Sequence, residues 1–176
     1  MRLLIVYGTT EGQTRKICQF LKEEAEKLHH TVDICDATDN PFSPSTNFDA
    51  IIIAASVHMH KYQSAIHHYV KDHHEILNKI PSAFVSVSLT AASDDQESWQ
   101  ELEELTAEFL KHSGWQPRHV TQVAGALRYS KYDFFKKFIM RMIAKKESGD
   151  TDTSHDYEYT DWGEVKAFLH KVLDAR

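Results

Sequence analysis

The chain alternates between short apolar runs and longer stretches in which apolar positions recur every three or four residues. Leu3 to Tyr7 is continuously apolar, the mark of a strand covered on both faces. Gly8 to Gln13 is small and polar, and Ile17, Phe20, Leu21, Ala25 and Leu28 follow at helical spacing. Thr31 to Cys35 alternates like a strand near a sheet edge. Ala50 to Ala55 and Ala83 to Val87 are the second and third apolar runs, with a helix predicted between them from about Tyr62 to Leu77. The next helix offers Ser93 as its cap with Gln96 closing a capping box. Lys111 and His112 sit in its last turn and Gly114 at its left-handed exit. Val120 to Ala124 is the last core strand. A final helix begins near Asp161, with Glu164 three residues on, and continues through Val165, Phe168, Leu169 and Val172. Five strand–helix alternations predict an α/β fold: an open, doubly wound parallel sheet with helices on both faces.

One segment breaks that rhythm. More than thirty residues separate Ala124 from the last helix, where roughly two to six are usual. Tyr129 to Ala144 is rich in aromatic and aliphatic residues, which argues against disorder and for function.

Length and composition narrow the class. At 176 residues the chain suits one well-buried core, so residues 1–176 read as a single domain with an insertion at about 127–154. The opening apolar run is too short for a signal peptide, and no stretch approaches the ~20 apolar residues of a membrane span. Cys18 and Cys35 lack metal-site spacing, and a reducing cytoplasm fits them better than a disulfide-bearing compartment. The twelve histidines include His58-x-His60 and the adjacent pairs His67-His68 and His73-His74. Helix neighbours point about 100° apart, so no metal site is expected and solvated histidines are the simpler reading.

Candidate chemistry begins at Gly8-Thr9-Thr10-Glu11-Gly12-Gln13-Thr14, between the first strand and the first helix. Ligands of doubly wound sheets bind at strand carboxyl ends, and the free N–H groups and dipole of a helix start favour a phosphate. Thr9, Thr10 and Thr14 add hydroxyl donors. The loop lacks the lysine of a Walker loop and the spacing of G-x-G-x-x-G. An ordinary Thr/Gly-rich helix cap is the alternative.

Ile5-Val6-Tyr7-Gly8-Thr9-Thr10-Glu11-Gly12-Gln13-Thr14 resembles the flavodoxin signature. The resemblance implies a five-stranded parallel sheet of order 2-1-3-4-5 whose loop Thr9, Thr10, Glu11, Gly12, Gln13 and Thr14 binds the FMN phosphate. It further implies two flavin-ring loops, Ser56-Val57-His58-Met59-His60 and Ser88-Leu89-Thr90-Ala91-Ala92. Carrier flavodoxins commonly cover the ring with aromatic side chains, whereas the second loop here offers only Leu89 and small residues. A less covered ring is easier for a planar substrate to reach, which favours an enzyme.

The insertion is strongly basic. Residues 127–146 hold seven cations against Asp133 alone, a net +6 in a chain of net −6. Phe134, Phe135, Phe138, Ile139, Met142 and Ile143 share one helical face, and Asp133, Lys137, Arg141 and Lys145 lie opposite. Such a helix suits an anionic membrane surface; a helix packed on the domain with its lysines in water is the alternative. The acidic remainder of the chain argues against nucleic acid.

The chain also resembles, nearly end to end, the menaquinone-dependent protoporphyrinogen IX dehydrogenases, a flavodoxin-like bacterial family. The resemblance is carried by Glu11-Gly12-Gln13-Thr14, Pro81-Ser82-Ala83-Phe84 and Ala124-Gly125-Ala126-Leu127-Arg128-Tyr129. It continues through Gly149-Asp150-Thr151-Asp152-Thr153 and Tyr159-Thr160-Asp161-Trp162. His58-Met59 departs from the Arg-Tyr of that family's first ring loop. The resemblance implies that the long insertion interrupts the last strand, which resumes near Tyr157 to Tyr159. It implies FMN-dependent oxidation of protoporphyrinogen IX with menaquinone or ubiquinone as acceptor, at the cytoplasmic face of the bacterial inner membrane. Arg128, Tyr129, Tyr132, Lys136, Lys137, Arg141 and Lys145 are then substrate- or membrane-contact candidates, with core packing an equal alternative for the two tyrosines. No side chain is singled out as the catalytic acid or base, and a homo-oligomer is left open. An electron-transfer flavodoxin docking to redox partners is the competing function. A flavin-free receiver module is the weakest reading, because it needs an acidic cluster after its first strand and Tyr7-Gly8-Thr9 supplies none.

Overall fold

The structure, a computed structural model, describes residues 1–127 and 157–174. The contact candidates Arg128, Tyr129, Tyr132, Lys136, Lys137, Arg141 and Lys145 lie outside the described residues. Five strands, β1 (Arg2–Gly8), β2 (Thr31–Asp36), β3 (Ala50–Ser56), β4 (Ser82–Ser88) and β5 (His119–Ala124), pair in parallel in the order β2-β1-β3-β4-β5. The alternating strand β2 is at one edge, as its pattern indicates.

The apolar runs are continuous because both sheet faces are covered. Successive side chains point to opposite faces, so each run supplies two cores. Leu3, Ile5 and Tyr7, with Ile52, Ala54, Val85 and Val87, meet Ile17, Leu21 and Ala25 of helix α1 (Gln13–Lys27). Val165, Phe168 and Leu169 of helix α4 (Trp162–Asp174) complete that core. On the other face Leu4, Val6, Ile51, Ile53 and Phe84 meet Ile66, Tyr69 and Val70 of helix α2 (Ser64–Leu77). Helix α3 (Gln96–Ser113) adds Phe109, and Trp115 follows it. Burying each such side chain contributes about 1.5–3 kcal/mol. Phe84 sits at the centre of an aromatic cluster, its ring 5.3, 5.1 and 5.6 Å from those of Tyr62, Phe109 and Trp115.

The start of α3 differs from the expected capping box. Asp95, not Ser93, is the cap, and its carboxylate accepts from the Ser98 N–H at 3.0 Å. Ser93 is occupied otherwise: its hydroxyl accepts from the Asp95 N–H and its carbonyl from the Trp99 indole. Gly114 does end the helix in the left-handed region, at φ 70°.

After the insertion, β7 (Tyr157–Glu158) does not rejoin the five-stranded sheet as a continuation of β5 but pairs antiparallel with β6 (Ala126–Leu127) as a separate two-stranded ribbon. From β1 the chain passes to edge strand β2 and then returns to β3 on the other side of β1. That reversal leaves a crevice beyond the carboxyl ends of β1 and β3.

Candidate functional site

The loop after β1 is built to present donors. Gly12 lies at φ 94°, in the left-handed region where a glycine carries no steric cost, and it begins α1. Its N–H donates to Thr9 Oγ1 at 2.9 Å, closing the turn. No side chain caps α1, so its first-turn N–H groups lack the intrahelical partners that later ones have. Thr14, in that turn, is wholly buried, yet its hydroxyl has no hydrogen-bond partner among the described residues. Arg15 turns away, donating to the Tyr7 hydroxyl at 3.1 Å and approaching Asp36.

These groups line a cavity of about 600 Å³ at the switch point, within the range typical of small-ligand sites. Thr9, Thr10, Glu11, Gln13 and Thr14 form one wall, and Ser56, Val57, His58, Met59 and His60 another. Ser88, Leu89 and Thr90 form the third. The three loops singled out in the sequence therefore converge on one site. Gly12 stands behind the wall as the helix start, and Ala91 and Ala92 lie in the short 3₁₀ turn that carries Thr90.

The loop after β3 ends in a tight turn. His58 and Lys61 exchange backbone hydrogen bonds of 2.9 and 3.1 Å, and the residues between them, Met59 and His60, lie at φ 50° and 59°. This is the two-residue hairpin turn that ordinarily takes Asn-Gly. Holding two side-chain-bearing residues there costs about 1–2 kcal/mol each. Met59, at the tip, is 73% exposed, and His60 Nε2 is 3.8 Å from Glu101 of α3. Beneath the loop, the Tyr62 hydroxyl donates to Ser86 Oγ at 2.9 Å and is 2.8 Å from Thr106 Oγ1. Burial pushes its phenol pKa up.

Four contributors lay outside the sequence-derived site. Val87, Gly125 and Ala126 line the cavity, although Ala124 to Tyr129 was recognisable as a motif. Gln63 stands just ahead of α2 and bridges two of the walls. Among the described lining residues there is no Phe, Tyr or Trp, and no Lys or Arg. Among the described residues no group of three or more His, Cys, Asp or Glu is placed to hold a metal.

The β6–β7 ribbon docks against the same site. Gln13 Nε2 donates to Thr160 Oγ1 at 2.9 Å, and that hydroxyl donates to the Ala124 carbonyl at 2.7 Å. The Tyr159 N–H donates to the Gly125 carbonyl, and the Gly125 N–H to that of Ser88. Lys16 hydrogen-bonds Glu158, holding its carboxyl below the usual carboxylate range. Both ends of the insertion thus emerge at the cavity rim.

A site of neutral donors at a helix start, with ring-sized space beside it, takes a small anion joined to a planar group. Comparison with known proteins agrees. Over its full length the fold matches oxidised flavodoxin 1 of Bacillus cereus, with a TM-score of 0.61 at 12% identity, covering 99% of that chain. Flavodoxin 2 of the same organism matches with a TM-score of 0.52 at 14% identity, each chain fully covered. Residues 4–154 match the flavodoxin domain family. Protoporphyrinogen IX dehydrogenase (quinone) of Escherichia coli K12 is 35% identical over 98% of this chain and 94% of its own length. The Leishmania major protein of the same name is 33% identical over 95% of this chain and 72% of its own. The chain therefore belongs to the flavodoxin domain family and, within it, to the protoporphyrinogen IX dehydrogenase (quinone) family.

Proposed function

We propose that this chain oxidises protoporphyrinogen IX to protoporphyrin IX, with FMN in the cavity and a membrane quinone as electron acceptor. The observation that carries the reading is the 35% identity to a dehydrogenase of that activity over 98% of the chain. Six electrons and six protons leave the porphyrinogen in three two-electron steps, and three quinones take them up as quinols. Bound FMN would supply the two-electron redox chemistry, while the protein orients the reactants and excludes competing ones.

The residues present fit that cofactor. The orphaned Thr14 hydroxyl, the Thr9 and Thr10 hydroxyls and the first-turn amides of α1 would hold the phosphate. Residues 56–60 and 87–90 would flank the ring, with Gly125 and Ala126 closing the third side. The described walls hold no Phe, Tyr or Trp, which leaves a planar substrate access to the ring from their side. Glu11, whose buried carboxylate oxygen lacks a protein partner, offers an acceptor for a ligand hydroxyl.

Arg128 and its neighbouring cations pair with the porphyrinogen's propionates. The basic-aromatic insertion meets an anionic membrane at the cytoplasmic face of the bacterial inner membrane, where the quinone resides. No described helix is long and apolar enough to cross a membrane.

The test is an anaerobic assay of FMN-loaded protein with protoporphyrinogen IX and a quinone. Fluorescent protoporphyrin should form well above the uncatalysed rate, with three quinones consumed per porphyrin. One-electron exchange with redox proteins and no porphyrin formation would mark a carrier instead. Exchanging Lys136, Lys137, Arg141 and Lys145 for Gln should abolish flotation with anionic vesicles and spare FMN content.

A further inference from the structure

Gln63 belongs to none of the three cavity walls, yet it connects two of them. Its side-chain Nε2 donates to Thr10 Oγ1 at 3.0 Å and also to Ser56 Oγ. Thr10 is in the loop after β1, and Ser56 is the last residue of β3. Gly8 provides the room: a Cβ there would lie 2.6 Å from Ile66 Cγ1 and 3.0 Å from Gln63 Oε1. The amide oxygen is buried and has no hydrogen-bond partner among the described residues.

The direction of these bonds matters for an anion. A hydroxyl has one hydrogen to donate and two lone pairs to accept with. When an amide N–H occupies a lone pair of Thr10 Oγ1, the hydroxyl hydrogen stays free to turn into the cavity. The reversed amide would set Oε1 against both hydroxyls, draw their hydrogens into the protein and leave lone pairs facing the ligand. Phosphate requires donors, so only the first arrangement is useful. Thr9 is set the same way, because its oxygen accepts from the Gly12 N–H.

We propose that Gln63 is a positioning residue: anchored on Ser56, it holds the Thr10 hydroxyl as a hydrogen-bond donor toward the cofactor's phosphate. The proposal rests on FMN being the ligand of this cavity. It extends the phosphate site to a residue about fifty positions beyond the loop, on the far side of β3 in sequence.

The test compares FMN with riboflavin, which lacks the phosphomonoester, in fluorescence titrations of the full-length apoprotein. Gln63→Glu can only accept, so it turns the Thr10 hydrogen away from the ligand and adds a negative charge near it. Gln63→Met keeps the length and removes the donor. Gln63→Glu costs the Thr10 hydrogen bond to the charged phosphate, whereas Gln63→Met loses only the bond that orients Thr10. FMN affinity should fall about a hundredfold in Gln63→Glu and about tenfold in Gln63→Met, with riboflavin affinity held within about threefold. Equal losses for the two flavins would reveal a packing role and overturn the proposal, as would wild-type FMN affinity in Gln63→Glu. A wild-type protein that binds neither flavin overturns the cofactor reading itself, and the role of Gln63 falls with it.

Discussion

Thr14→Val changes one buried atom and should move two properties in opposite directions. The substitution keeps the branched shape and replaces a hydroxyl by a methyl. Thr14 is fully buried, and its hydroxyl has no partner among the described residues, a state that costs about 1–3 kcal/mol in the ligand-free fold. Removing the hydroxyl should therefore stabilise the apoprotein by about 1 kcal/mol, or about 2–4 °C in Tm for a chain of this size. With FMN bound, the same hydroxyl would make a charge-assisted hydrogen bond worth about 1.5–3 kcal/mol. At about 1.4 kcal/mol per tenfold, the Kd for FMN should rise by about 10- to 150-fold. Calorimetric melting of the apoprotein and a fluorescence titration with FMN measure the two effects, and Thr14→Ser, which retains the hydroxyl, should keep most of the affinity. A variant that melts lower and binds FMN like the wild type would refute the assignment of this hydroxyl to the phosphate.

Further expectations concern the rest of the site and the fold. A Cβ at Gly125 would stand at ordinary contact distance, 3.5 Å from Val87 Cγ1, so Gly125→Ala should fold normally while the added methyl narrows the cavity. An FMN affinity within twofold of wild type would remove Gly125 from the site. Replacing Met59-His60 by Asn-Gly should relieve the left-handed backbone of the hairpin turn and raise the apoprotein Tm by a few degrees, about 1 kcal/mol or more; a lower Tm would mean the turn carries no strain. Glu24, held by Lys166 and Lys27, has its carboxyl lowered from 4.5 to about 2. Because the folded-state value is the depressed one, its contribution is complete above about pH 4.5 and is lost as pH falls through about 2. Lys166→Met should therefore flatten the acid limb of a stability–pH curve, and an unchanged limb would dissociate Glu24 from acid unfolding.

The parts of this fold that were legible in the sequence are those written in local pattern. Ile51 to Ala55 could only be a strand covered on both faces, and residues Ile17, Leu21 and Ala25 only one face of a helix. The loop that forms the cavity's first wall was legible because glycine, threonine and a helix start adjoin one another in the chain. The start of α3 was misjudged because Ser93 and Asp95 each present a capping residue at workable spacing. The indole of Trp99 chose between them by taking the Ser93 carbonyl. Gln63 and Gly125 stayed hidden for a different reason. Each reaches the cavity through partners distant in sequence, Thr10 and Ser56 for one and Val87 and Ser88 for the other. The ring-loop assignments came through family resemblance, since nothing in the composition of His58 to His60 distinguishes them from solvated surface residues.

The ribbon of Ala126–Leu127 with Tyr157–Glu158, pinned to α1 through Thr160 and Gln13, acts as a socket. The chain leaves and re-enters the core at adjacent points, so the segment between them can lengthen or change composition with little effect on the rest. Doubling such a span adds only about 0.6 kcal/mol of closure entropy. With the insertion meeting the substrate as proposed, substrate choice can evolve, or be engineered by grafting, in a part of the gene that is separate from the part encoding the redox centre. Two flavodoxin-type proteins that share this doorway could exchange what lies between its posts and trade reactions while keeping their flavin chemistry.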